Sequence, residues 1–491
     1  MKNKICQFVA LIAIVCTSYS CQDDFFTTPA GSRITPEEHF QSQKDLFISI
    51  YGTYIPLQKA LPRLLLIDGL RSDLMDITSY SDAYMKAINN QELATDNPYL
   101  DGSDYYKVII NANEILNHID EVWVKDPTEI EYEPKYTKGA LINIRSWSYF
   151  TLVRLFGKAA LITDNMPSFL PDQTFLGKKD MIDTLINQLK PYVFNNPKYD
   201  ELKIWGPNTK ALLGELYLEN QQYDSAAYYL KLGMESYGNT KTYKVTSAYA
   251  KEKWELIFYA DGIGVENIDL IPYDSHRDQY NDFTGWTLNY EVKPSQLLVN
   301  SYNTQVQSTN GVGDLYRGKG FTFDTIPGSY SIAKYNLEEG DPYSAYICIS
   351  RAADAHLLLA EALNQKGDIT TALLLVNDGI RNADVTPPGY NKWSDNIGVR
   401  GRVSLMPKNI PSYIDMNDPV AVRNAVEDII MEERASELAF EGKRWFDLVR
   451  VAERRNDPSY LANKVAAKFS DPVQAEKIRT ILMDRNNWYL K

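Results

Sequence analysis

Hydrophobic residues recur with a helical period in the segment 223–234. One apolar set falls at positions i, i+3, i+4, i+7 and i+11, which is one face of a helix with 3.6 residues per turn. The set is Tyr223, Ala226, Ala227, Leu230 and Met234. The stretch before it carries Leu213, Gly214 and Tyr217 on a second helical face. The pattern therefore predicts a helical hairpin over 211–234.

The same register recurs 146 residues later, where Leu359 and Leu363 stand in the places of Leu213 and Tyr217. The second apolar set is Ile369, Ala372, Leu373, Val376 and Ile380. The string Leu213-Gly214-x-x-Tyr217, with Ala226 nine positions further on, fits the tetratricopeptide pattern, in which small residues let two antiparallel helices approach closely. Two hairpins of one repeat type are predicted.

Two further helix pairs have weaker patterns. They are 37–55 with 105–119, and 138–155 with 180–192. Because such hairpins cannot bury their apolar faces alone, we expect them to stack into one α-solenoid-like core. The prediction is an all-α, mainly helical fold of about four helix pairs, with a helical scaffold over 36–260 and 346–491.

Between the two clear hairpins the pattern changes. Residues 262–345 hold nine of the 26 glycines and twelve aromatic residues, without a sustained helical period. This composition indicates loops or short strands, and loops on a rigid scaffold are where binding residues concentrate. Two smaller regions share the character, 68–102 and 387–411. We interpret 262–345 as a loop-rich insertion in the scaffold.

Composition excludes several functions. The 491 residues contain 51 Lys+Arg and 64 Asp+Glu, for a net charge of −13, whereas nucleic acids and anionic lipids require a basic surface. The four histidines are scattered, and no metal-binding or nucleophile motif occurs. The glycine-rich stretch Gly313 to Gly320 lacks the Ser or Thr of a phosphate loop. We expect no cofactor, no metal and no catalytic residues.

The amino terminus has the pattern of a secretory signal. Lys2 and Lys4 precede a nine-residue apolar run, which is too short to span a bilayer, and Cys21 follows small residues. The interpretation is a lipoprotein signal peptide over 1–20 and a lipidated Cys21, with 21–491 as a single domain. A cleaved secretory signal with Cys21 incidental is the alternative. Cleavage removes two lysines and leaves a charge of −15. It also leaves Cys348 as the other thiol, so no intrachain disulfide is expected.

Four segments together resemble the SusD/RagB family of Bacteroidetes outer-membrane nutrient-binding lipoproteins. The most specific is Met431 to Arg450, which reads MEERASELAFEGKRWFDLVR. The other three segments are Ser146 to Thr163, Arg351 to Arg381, and Tyr105 to Leu116 with Asn113. The resemblance implies a helical SusD-like fold with four tetratricopeptide-like pairs and a loop-rich face that captures ligand. It also implies cell-surface lipid anchoring and docking on a SusC-like TonB-dependent outer-membrane transporter. Members bind glycans in most cases and peptides in some, and none is an enzyme.

The many charges of the segment 431–450 suggest acid–base chemistry, but their spacing favours structure. Lys443 and Arg444 stand four and three residues before Asp447, as neighbours on a helix surface do. We therefore interpret the charges as structural ion pairs, with Trp445, Trp147 and Tyr217 in the core.

A glycan receptor needs flat aromatic faces for the C–H groups of a sugar ring and planar polar groups for its hydroxyls. The loop-rich regions supply both kinds of side chain. The candidates in 68–102 are Arg71, Asp73, Tyr80, Tyr84, Asn97 and Tyr99. The candidates in the insertion are Arg277, Tyr280, Asn281, Asp282, Trp286 and Tyr290, with Trp286 the foremost.

The expected function is reversible capture of an oligosaccharide or polysaccharide at the cell surface and its delivery to the transporter. Two alternatives stay open from the sequence. One is a peptide-binding receptor of the same family, and the other is a tetratricopeptide scaffold that assembles proteins without a small ligand.

Overall fold

The computed structural model describes residues 36–127, 134–162, 173–194, 208–235, 243–245, 256–258, 266–336 and 340–491. The predicted signal peptide and Cys21 lie outside this part of the chain.

Helices dominate, and the strands form two-stranded sheets. The helices are α1 Pro36–His39, α2 Gln43–Arg71, α3 Ala83–Asn89, α4 Ser103–Lys125, α5 Pro134–Phe156, α6 Lys178–Leu189, α7 Thr209–Glu219, α8 Tyr223–Met234, α9 Asp282–Leu288, α10 Gln296–Asn303, α11 Ala352–Lys366, α12 Ile369–Val376, α13 Pro419–Glu437, α14 Arg444–Arg454, α15 Pro458–Ala466 and α16 Pro472–Met483. The strands are β1 Met75–Ile77, β2 Lys158–Leu161, β3 Thr174–Gly177, β4 Asn267–Ile271, β5 Val292–Pro294, β6 Phe323–Ile326, β7 Ser329–Ile332 and β8 Ile347–Arg351.

The first predicted hairpin is confirmed as α7 and α8. Asn208 caps α7 by accepting from the backbone N–H groups of Lys210 and Ala211. Gly214 lies where the two helices cross, and a Cβ added there would stand 2.5 Å from Cγ of Leu230. The missing side chain is therefore what lets the two helices pack so closely.

The second hairpin is confirmed as α11 and α12, but α12 is shorter than the spacing predicts. It ends at Val376, and Ile380 lies in a separate 3₁₀ turn. Gly379 has φ of 77°, and a Cβ there would stand 2.2 Å from the carbonyl oxygen of Asn396. The chain leaves the helix at this point because its backbone must pass close to the segment around Asn396.

The two weaker helix pairs are also confirmed: α2 packs against α4, and α5 packs against α6. Helix α4 packs against α5 as well, so the pairs form one continuous stack with one core. Trp147, Trp445 and Tyr217 are buried, as predicted.

The insertion contains two helices, α9 and α10, which its composition did not predict. Each begins at a side-chain cap, Asn281 for α9 and Ser295 for α10, so local hydrogen bonds establish helices too short to show a period. Antiparallel pairing of β4 with β8 and of β1 with β5 joins the insertion to the scaffold.

The carboxy-terminal signature lies at the centre of a buried network of ion pairs. The Arg351 guanidinium donates to Glu437 and Glu441, and Arg317 of the insertion also donates to Glu437. Lys334 of the insertion pairs with Glu441. All five side chains are almost completely buried. The prediction that the signature charges form structural ion pairs is confirmed, and the network ties the insertion to α13.

The predicted partners within the signature are wrong. Lys443 pairs with Asp354 at 3.0 Å and Arg444 with Asp73 at 2.7 Å, rather than with Asp447. Lys443 precedes α14 and is partly buried, and Arg444 is buried, each against other elements. They therefore reach carboxylates on those elements and not the surface neighbours that helical spacing suggests.

Candidate functional site

Two loop-rich regions, 68–102 and the insertion, meet at the short ladder of β1 with β5. Its register pairs Met75 with Pro294 and Ile77 with Val292. Just beyond the Ile77 end, the Thr78 hydroxyl donates to the carbonyl oxygen of Tyr290 at 2.6 Å. The Ser81 hydroxyl donates to that of Glu291 at 2.5 Å. The turn that carries Tyr80 is therefore fixed against the turn that carries Tyr290.

Aromatic rings from the two regions form edge-to-face pairs. Tyr80 lies 6.3 Å from Tyr290, and Tyr99 lies 5.4 Å from Trp286, measured between ring centroids. A third pair, Tyr280 with Tyr343, has a centroid distance of 6.2 Å and an interplanar angle of 87°. We call these six side chains the aromatic surface. Edge-to-face packing fixes the ring planes relative to one another.

Helix α9 holds the aromatic surface together. Asn281 caps the helix, and its amide also donates to the carbonyl oxygen of Ala345 at 2.9 Å. Gly285 faces Tyr343, since a Cβ added there would stand 3.4 Å from that ring. After the helix ends, Tyr290 adopts a left-handed φ of 55°, which reverses the chain toward Tyr80.

The rings combine exposure with anchored hydroxyl groups. Tyr80 is 70% exposed and Tyr280 46%, while Tyr99, Trp286 and Tyr290 are partly buried. The Tyr99 hydroxyl donates to Asp82 at 2.8 Å, and that of Tyr290 donates to Ser329 at 2.5 Å. These bonds hold the rings in place while part of their surface faces solvent.

Two of the hydroxyls are kept in the protonated, donating form. Burial, followed by the hydrogen bond to Asp82, raises the pKa of the Tyr99 hydroxyl above its usual range. The hydrogen bond to Asp278 raises the pKa of Tyr280. Both hydroxyls therefore lose their protons only at higher pH than an ordinary tyrosine does.

Three other predicted residues lie at the protein surface near these rings. Tyr84 is 43% exposed, and Asp282 is exposed in the first turn of α9. Arg277 is exposed and pairs with Asp274 at 3.1 Å. Each stays a candidate for hydrogen bonding at the edge of a ligand.

Four predicted residues are structural instead. Arg71 is buried, stacks on the Trp445 ring at 3.8 Å and donates to the carbonyl oxygen of Trp488. Asp73 is buried and accepts two hydrogen bonds of 2.7 Å from Arg444. Their hydrogen-bonding groups are already occupied, so we remove both from the site.

Asn97 and Asn281 are buried caps. Asn97 accepts from the backbone N–H of Tyr99, and its amide donates to the carbonyl oxygen of Tyr84. Asn281 likewise accepts from a backbone N–H at the start of α9, that of Phe283. These two asparagines position the aromatic residues without being available to a ligand.

Tyr343 is the member of the aromatic surface that sequence reasoning missed. It lies in the insertion, directly after Asp341 and Pro342, in a capped 3₁₀ turn. The Asp-Pro-Tyr turn was a usable signal, because such a turn places a ring at a fixed surface position.

The described residues include no group of three or more His, Cys, Asp or Glu side chains that could hold a metal ion. His356 is buried, and burial lowers its pKa to about 4, so it is a neutral core residue. Within the same part of the chain, Cys348 is a free, buried thiol.

Comparisons with known proteins all point to one family. A family model described as the SusD family matches residues 219–490. The SusD-like protein P38 of Formosa agariphila is 24% identical, over 92% of this chain and 92% of that protein. A SusD superfamily crystal structure from Bacteroides vulgatus ATCC 8482 superposes with a TM-score of 0.69 at 19% identity, covering 92% of this chain and 96% of that one. A structure described as a laminarin-binding SusD-like protein superposes with a TM-score of 0.60 at 18% identity, covering 89% and 95%.

Proposed function

The chain belongs to the SusD family, and we propose that it is a glycan-binding protein that captures an oligosaccharide or polysaccharide on the aromatic surface. The observation that carries the proposal is the assembly of six aromatic side chains from two distant chain regions into three edge-to-face pairs. Rings that only fill a core would be buried, whereas Tyr80 is largely exposed and Tyr280 is about half exposed.

The chemistry of the surface suits a sugar. A pyranose ring presents C–H groups on its faces, which pack against the flat face of Trp286 or an exposed tyrosine. Its hydroxyls meet planar polar groups at the rim, for which Arg277 and Asp282 are available. Binding of this kind makes and breaks no covalent bond, so we propose a receptor and not an enzyme. The laminarin-binding structural neighbour supports a glycan over a peptide as the ligand.

We further propose that Cys21 carries a lipid anchor that holds the protein at the outer-membrane surface. There it would hand its ligand to a SusC-like TonB-dependent transporter. The helices of the described residues include no candidate membrane span. Replacing Cys21→Ser should move the protein from the membrane fraction to the soluble fraction. A protein that still sediments with membranes would contradict the anchor.

The ligand is tested by screening residues 22–491 on neutral glycans, including laminarin, and on a matched panel of peptides. We expect at least one glycan to bind and to quench tryptophan fluorescence. Binding of peptides alone would replace the glycan proposal by a peptide receptor, and binding of neither would favour a protein scaffold. Release of shortened sugars during the screen would contradict the receptor role.

A further inference from the structure

A concave site lies at the other end of the β1–β5 ladder from the aromatic surface. Its lining comes from α10, from the carboxy-terminal end of α13, from the start of α14 and from α15. Its cavity volume is about 480 Å³, which is within the size range of small-molecule sites. Asp73 and Leu74, just before β1, lie at its base. We call it the Lys464 groove.

Most of the surface area that lines the Lys464 groove is apolar. The apolar lining residues are Leu74, Leu297, Leu298, Ala435 and Ala467. Leu297 is 37% exposed, although it stands beside the buried Leu298 on α10. A ligand that covered Leu297 would gain from removing this surface from water.

The charges in the groove do not balance. Arg444 is paired with Asp73, and Lys408 is paired with Glu432. Lys464 is partly buried, yet among the described residues no carboxylate lies within ion-pairing distance of it. Its ammonium group lies over the Tyr460 ring, 5.2 Å from the ring centroid. One positive charge of the groove therefore has no partner.

The surroundings of Lys464 make that charge costly. Burial lowers the pKa of its ammonium group, and the neighbouring Arg444 lowers it further. Three more distant carboxylates raise this pKa, but by less than burial and Arg444 lower it. They are Asp73, Asp428 and Glu432. A bound anion would supply the missing partner, because an opposite charge nearby stabilises a partly desolvated ammonium group.

We propose that the Lys464 groove is a second binding site, for a small molecule that carries one carboxylate on an aliphatic or sugar body, and that Lys464 is its charge partner. One carboxylate matches the single uncompensated charge, and the aliphatic walls match the body of the ligand. The site is independent of the aromatic surface, since it shares no residue with it.

The test follows Lys464 directly in the protein of residues 22–491, by NMR of ¹³C-methylated lysines with the Lys464 signal assigned from the K464R variant. The carboxylate probes are digalacturonate and hexanoate, and the neutral controls are galactobiose and hexanol. We expect a carboxylate to shift the Lys464 signal and raise its pKa, while the neutral probes leave both unchanged. A response to digalacturonate alone identifies a sugar acid, and a response to hexanoate alone identifies an aliphatic acid.

Calorimetry on variants completes the test. Lys464→Gln should weaken carboxylate binding about tenfold or more, whereas Lys464→Arg should retain most of it. Lys477→Gln, at an exposed lysine paired with Glu92, should have no effect. Trp286→Ala should leave this binding intact, so failure of the glycan proposal would not affect it. The proposal is overturned if neither carboxylate shifts the Lys464 signal, or if Lys464→Gln binds as tightly as the parent.

Discussion

Glu441 accepts hydrogen bonds from two buried cations, Arg351 and Lys334, and is itself buried. Glu441→Ala would leave both cations without this partner in a site that excludes water. Removing one member of a buried ion pair costs about 3–5 kcal/mol of the free energy of unfolding. We therefore expect a much lower melting temperature, measured by circular dichroism, with unchanged glycan affinity below it.

Glu432 provides the matched control on α13. Glu432 is exposed and pairs with the partly exposed Lys408, and ion pairs at the surface contribute less than about 1 kcal/mol. The melting temperature of Glu432→Ala should therefore be close to that of the parent protein. If both variants lose the same stability, the buried network does not have the role described here.

At the residue scale, the sequence could predict ring-bearing surface residues better than polar ones. Tyr80 packs against Tyr290 and Tyr99 packs against Trp286, because tight turns hold Tyr80 and Tyr290 and the capped helix α9 holds Trp286. Asp73 was predicted to contact ligand, but its partner Arg444 is 371 positions away. No local pattern shows a partner at that distance, so buried polar residues cannot be separated from exposed ones by sequence alone.

At the scale of the element, the α7–α8 hairpin depends on Gly214. Alanine is more favourable than glycine in the interior of a helix by about 1 kcal/mol. At position 214, however, the Cβ of an alanine would stand only 2.5 Å from Cγ of Leu230. Gly214→Ala should therefore lower the free energy of unfolding in urea by about 1–3 kcal/mol, as overpacked sites do.

Gly52 in α2 is the control, because a Cβ there would meet no atom within 4 Å. Gly52→Ala should stabilise the protein by up to about 1 kcal/mol. Equal effects of the two substitutions would show that helix propensity, and not close packing, decides the outcome at Gly214.

The elements that sequence reasoning found are those with a long apolar period, such as α8 and α11. It missed α9 and α10, which have seven and eight residues, because two turns give too few positions for a period to show. The end of α12 was missed for another reason. The close approach of Gly379 to the segment around Asn396 is a tertiary contact, which the spacing of apolar residues in the repeat does not predict.

At the scale of the whole molecule, buried carboxylates make the fold sensitive to acid. Burial alone would raise the pKa of Glu361, but Arg450 and Arg454 hold it at about 2. Asp354 is likewise held at about 2, against burial, by Lys443 and Arg434. The unfolded chain binds protons at these carboxylates at higher pH than the folded protein does. Their contribution is therefore present above about pH 4.5 and is lost as the pH falls toward 2.

We expect the free energy of unfolding, measured in urea, to fall steeply between pH 5 and pH 3. Loss of the Glu361 contribution alone amounts to roughly 2 kcal/mol by pH 3 and to about 3 kcal/mol once the pH is below 2. His356 also lowers the free energy of unfolding as the pH falls below 6.5, since its pKa in the folded protein is only about 4. Asp68 has the opposite effect on the free energy of unfolding. Burial raises its pKa to about 7, so the folded protein binds this proton at higher pH than the unfolded chain does. A free energy of unfolding that stayed level from pH 6 to pH 3 would contradict the buried network.

The central claim is that the aromatic surface binds a glycan, and Trp286 is its most direct probe. The decisive measurement is the calorimetric affinity of the best glycan from the screen for the parent, for Trp286→Ala and for Tyr228→Ala. Tyr228 is 57% exposed on α8, outside the aromatic surface. We predict at least tenfold weaker binding for Trp286→Ala, since loss of a stacked ring costs about 2 kcal/mol, and unchanged binding for Tyr228→Ala. Native circular dichroism with unchanged affinity in Trp286→Ala would contradict the account.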